Sequence, residues 1–96
     1  MAPRLPPQSR ETAETLALRG IGWIAGDDDM IARFLSLTGI DPSELRHRLG
    51  DPAVLAGVLD FLLGDEATLI AFCHDQEIPP EVPGLARRYL PGAPLE

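Results

Sequence analysis

An all-α fold is what the sequence predicts, and two regularities predict it. Apolar residues recur at three- and four-residue steps in successive segments, which is the period of a helix with one buried face. Most of these segments open on aspartate and stop at glycine, the residue types that satisfy the dangling backbone groups at helix ends. With 96 residues the chain can build one hydrophobic core but not a core plus a separate functional domain. The expected architecture is a compact bundle of five helices, with room for a short C-terminal sixth. Residues 1–8, which hold three prolines, are expected to form a flexible arm, residues 9–90 the helical domain and residues 91–96 a frayed tail.

The first helix is expected from about Ser9 to Ala25, with Ala13, Leu16, Ala17, Ile21 and Ile24 on its buried face and Trp23 widening it. Gly20 and Gly22 each cost about 1 kcal/mol relative to alanine inside a helix, so they signal either a close neighbour or a weak turn. Gly26 ends this helix, and Asp27, Asp28 and Asp29 start the second, where carboxylates accept from unpaired N–H groups at the positive end of the dipole. The second helix should run to about Leu37, burying Ile31, Phe34 and Leu35 together with Met30 and Leu37, and closing at Gly39.

The stretch LTGIDPSELRHRL then gives a complete start signal: Asp41 as N-cap, Pro42 in the first helical position, Glu44 reaching back to the Asp41 N–H, and Ile40 facing Leu45. Leu45 and Leu49 should point inward before Gly50. Asp51 and Pro52 repeat the signal for a fourth helix carrying Val54, Leu55, Val58, Leu59, Leu62 and Leu63, with Phe61 beside them. A segment this apolar belongs at the centre, covered on more than one side. Gly64 ends it, Asp65 caps a fifth helix with Leu69, Ile70, Phe72 and Cys73 inward, IPPEVPG reads as a rigid connector, and residues 85–90 form the last turns.

Sliding the chain on itself by 38 places superimposes Gly26-Asp27-Asp28 on Gly64-Asp65-Glu66, and Phe34 on Phe72. Leu16, Ile21, Trp23 and Ile24 meet Val54, Leu59, Phe61 and Leu62. This predicts two pseudo-repeated helical hairpins bridged by the short helix at Pro42, a pattern that two unrelated hairpins of similar length would partly share.

Composition narrows the function classes. Fifteen acidic residues against eight arginines give a net charge of −7, which repels phosphate backbones and makes nucleic acid a disfavoured partner. No apolar run approaches the roughly 18 residues of a membrane span, and the N-terminus lacks the apolar segment of a secretory signal, so a cytoplasmic setting is expected. The single cysteine, Cys73, has no partner for an intramolecular disulfide.

The one nucleic-acid reading with a motif behind it is a helix-turn-helix using the helix that starts at Asp41, which would present Ser43, Arg46 and His47 to DNA. Against it, Leu35 stands where a small residue would be needed and Arg48 where an apolar one would. The triple aspartate lacks the spacing of a calcium loop and is better read as capping. Cys73 and His74 diverge by about 100° on a helix and share no ion. Cys73 reads as core, and His47, between Arg46 and Arg48, as a solvated helix residue. No serine sits in a nucleophile elbow and no glycine run resembles a phosphate cradle, so neither an enzymatic activity nor a cofactor is expected. A bundle of this size has limited area to hide Trp23, Phe34, Phe61, Leu62, Leu63 and Phe72, so contact with a protein partner or self-association is the leading expectation; Arg87 and Arg88, beside Tyr89 near the C-terminus, are expected to pair with the protein's own carboxylates, with docking of an acidic partner the alternative.

The segments AETLALRGIGWIAGD, GIDPSELRHRL, VLDFLLGDEATLIAF and LARRYL resemble a small all-helical family of alphaproteobacterial proteins with no assigned function. The resemblance covers Glu11 to Leu90, implies a helical fold and a bacterial cytoplasmic setting, and contributes no catalytic residue.

Overall fold

Residues 9–92 are described by the computed structural model, so the expected arm and the last part of the expected tail lie outside it. Six helices follow one another: α1 (Arg10–Ala25), α2 (Asp28–Thr38), α3 (Pro42–His47), α4 (Pro52–Leu63), α5 (Glu66–Gln76) and α6 (Val82–Arg87). The molecule is all-α among the described residues.

Capping fixes where most helices begin. Ser9 and Thr12 form a reciprocal box at α1, the Asp27 carboxylate accepts from the Met30 N–H at 3.0 Å, and Asp51 accepts from the Ala53 N–H at 2.9 Å. At α3 the expected box is present: Asp41 accepts from the Ser43 N–H at 2.9 Å and Glu44 accepts from the Asp41 N–H at 3.5 Å. Asp65 departs from the pattern, because its carboxylate accepts from the Thr68 hydroxyl instead of a backbone N–H. That bond satisfies Thr68, which is consequently buried.

At the other ends, the expected glycine stop takes the left-handed conformation only at Gly39, φ 72°. Gly26 and Gly64 stay right-handed, and α5 stops at Glu77, which adopts φ 56° without being glycine.

α4 is central, packing against α1, α2, α5 and α6. It buries Val54, Leu55, Ala56, Val58, Leu59 and Leu62, and each large side chain so removed from water contributes about 1.5–3 kcal/mol before entropy is counted. Its main partner α1 buries the five expected residues plus Gly20. A Cβ at Gly20 would lie 3.1 Å from both Val58 Cγ1 and Leu62 Cδ1, so the glycine lets the two helices touch. Among the described residues nothing lies within 4 Å of where a Cβ at Gly22, two residues on, would stand.

The 38-residue self-similarity has a spatial counterpart. Gly20 abuts Val58, its own counterpart, so the two hairpins meet there through equivalent positions. Trp23 of the first hairpin meets Phe72 of the second edge to face at 5.5 Å, and the counterpart pair Phe61 and Phe34 repeats the contact at 5.5 Å. Phe34 and Phe72 are both fully buried, and the two left-handed caps, Gly39 and Glu77, also correspond.

Four expectations need correction. Leu37 is 73 % exposed, because it falls in the last turn of α2, three residues from the buried Phe34 and beyond the part of the helix that the core covers among the described residues. Ile70 is 50 % exposed: it stands two residues, about 200°, from Phe72 and so faces away from the core, while Thr68 takes the inward place. α3 ends at His47, earlier than Leu49. Finally, the sixth helix spans Val82–Arg87 and not residues 85–90, because Pro83, in the first turn where its missing N–H is no loss, starts a helix within the expected rigid connector.

Candidate functional site

The four residues singled out for a protein partner divide into two pairs. Trp23 is half-buried, its indole N–H donates to the Asp75 carboxylate at 2.8 Å, and Arg19 beside it donates to the Gln76 side-chain oxygen at 2.9 and 3.1 Å. Together they clasp α1 to the end of α5. Arg87 is also engaged. Its guanidinium forks onto both oxygens of Asp60 at 2.7 and 3.2 Å and donates to the Leu90 carbonyl at 3.2 Å, tying α6 to α4, with its side chain only 13 % exposed. Arg88 and Tyr89 point outward, and Arg88 joins no ion pair among the described residues.

The three residues considered for DNA sit on α3, a helix of six residues. The Ser43 hydroxyl donates to Asp41 at 2.7 Å, and His47 Nδ1 donates to the Ser43 carbonyl at 2.8 Å, so both side chains serve the helix itself. Arg46 is exposed and joins no ion pair among the described residues, and Arg48 is bonded to Asp51 at 2.9 Å.

Three of the aspartates are likewise engaged by local structure. The Ser43 hydroxyl and N–H hold the Asp41 carboxyl below the usual range. Arg48 and then the Ala53 N–H do this for Asp51, and the Thr68 hydroxyl for Asp65. Among the described residues no group of three or more histidines, cysteines or carboxylates is placed to hold a metal ion. Cys73 is buried at 2 % exposure, and burial, followed by the charge of Glu81, pushes its thiol up, away from the nucleophilic thiolate.

Several large apolar side chains also remain on the surface. Leu18, Leu37, Ile70, Leu85 and Tyr89 are each at least one third exposed. Leu18 precedes Leu85 and Tyr89 by more than sixty residues, and the helices that carry them, α1 and α6, pack together. No helix of the described residues is long and apolar enough to cross a membrane.

No curated protein and no solved structure matches the chain. Residues 10–93 match the family DUF3572, whose description is protein of unknown function, and the chain belongs to that family.

Proposed function

We propose that this protein is a non-enzymatic interaction module, a small helical scaffold that binds another protein or a second copy of itself through packed helix faces, in the cytoplasmic setting expected from the sequence. One observation carries the reading: large apolar side chains, Leu18, Leu37, Ile70, Leu85 and Tyr89, stay on the surface of a bundle whose core is otherwise closed. The engagement of these polar groups supports it, since Asp41 and Asp51 cap helix starts, Asp65 holds the Thr68 hydroxyl and Arg87 holds α6.

Site-specific photo-crosslinking tests the reading. A benzophenone side chain placed at Leu18, Leu37 or Leu85 in producing cells is expected to trap a protein at one or more of these positions, and none at an exposed polar position such as Glu66. Uncrosslinked chain at every apolar position would remove the proposal.

A further inference from the structure

The outer face of α6 is built from Glu81, Leu85, Arg88 and Tyr89. Residues 81, 85 and 88 are four and three apart and share one side of a helix, and Arg88 keeps helical dihedrals, φ −65° and ψ −20°. The opposite side is anchored, with Val82, Pro83 and Ala86 buried and Arg87 bonded to Asp60 of α4. Leu85 and Tyr89 therefore leave α6 on the flank away from α4, and the other helix packed against α6 is α1. The heights agree as well. Asp60 lies on α4 between Val58 and Leu62, which both abut Gly20 of α1, and Leu18 is two residues from Gly20 on the outer side. Leu85, 36 % exposed, and Tyr89, 43 %, thus lie on the flank of α6 away from α4, and α1, which packs against α6, carries Leu18, 44 % exposed.

Charge says what fits the seam of α6 and α1. Glu81 and Arg88 are exposed, carry opposite signs at the two ends of the strip with Leu85 between them, and join no ion pair among the described residues. A strip with one sign at each end is complementary to itself when reversed. Turned about a twofold axis at Leu85, each Glu81 meets the partner's Arg88 while the apolar side chains meet each other.

We propose that the α6–α1 seam is a homodimer interface, with a second copy of this chain as its occupant. This rests on the interaction reading above and names its partner.

Sedimentation equilibrium of the full chain tests it. The mass should rise from that of one 10.4 kDa chain towards double as concentration climbs from about 10 to about 500 µM. Leu85→Glu should weaken dimerisation by about 30-fold or more, and Glu81→Arg or Arg88→Glu alone by roughly tenfold, since each creates like-charge pairs at both ends. An equimolar mixture of Glu81→Arg and Arg88→Glu chains should dimerise again, because both pairs are restored between unlike chains; a purely structural effect would not show this recovery. Leu37→Glu, away from the seam, should dimerise like the wild type. Circular dichroism checks that each variant is folded, and Leu18→Glu provides a second apolar test.

A wild-type chain that stays monomeric, a dimer indifferent to Leu85→Glu and Leu18→Glu, a dimer lost in Leu37→Glu, or a mixture that fails to recover would each overturn the proposal. If the chain is monomeric and the benzophenone sites still trap another protein, self-association falls while the interaction reading stands. If they trap nothing, both fall.

Discussion

Gly20 and Gly22 stand two residues apart in α1 and have opposite surroundings, which makes them a direct test of helix propensity against packing. Gly22 is exposed in a helix interior with open space where a Cβ would go. Gly22→Ala is expected to stabilise the fold by about 0.5–1 kcal/mol and raise Tm by about 3–6 °C in a thermal melt. Gly20→Ala should give no such gain, because its Cβ would press on Val58 and Leu62 at 3.1 Å and displace α4 or their rotamers. Gly20→Val should cost on the order of 2 kcal/mol. The sequence raised both explanations for these glycines, a close neighbour or a weak turn, but could not assign one to each. That assignment depends on which way α1 faces its neighbour.

Among whole elements, α4 shows how far local physics reaches. Its start at Asp51-Pro52 and its end at Gly64 follow from residues within a few positions of each boundary. Asp51 also makes a prediction. Its carboxyl is held below the usual range by Arg48 and the Ala53 N–H, so the folded chain binds the proton less tightly than the unfolded one. Its contribution is therefore present above the ordinary aspartate pKa of about 3.9 and is lost as the pH falls through and below that value. Asp51→Asn, which can still cap the helix, should lower stability at pH 7, and its urea midpoint should fall less than that of the wild type between about pH 5 and pH 2. α6 shows where local reasoning stops. Three prolines in IPPEVPG read as a barrier to helix, yet Pro83 lies in the first turn of one, and the helix is retained because Val82, Pro83 and Ala86 are buried and Arg87 is clamped to Asp60.

For the molecule as a whole, the equivalent aromatic contacts between the hairpins predict paired responses to paired mutations. Phe34 and Phe72 are counterparts, both are fully buried, and each meets an aromatic ring of the other hairpin at 5.5 Å. Phe34→Leu and Phe72→Leu are each expected to cost about 1–2 kcal/mol in urea unfolding, within about 0.5 kcal/mol of each other. A large difference would mean that the two halves, alike in sequence pattern, are not energetically equivalent. The sequence by itself determined the helical class, the helix starts at Asp27, Asp41 and Asp51 and the inward stripes of α1 and α4, because capping and periodicity act over three or four neighbours. Only the tertiary structure decided that Leu37 and Ile70 face water, that Trp23 serves as an internal clasp, that Asp60 is the carboxylate Arg87 pairs with, and that α6 packs against α1. Exposure and pairing across distant segments depend on where one helix crosses another, which spacing along a single helix does not specify.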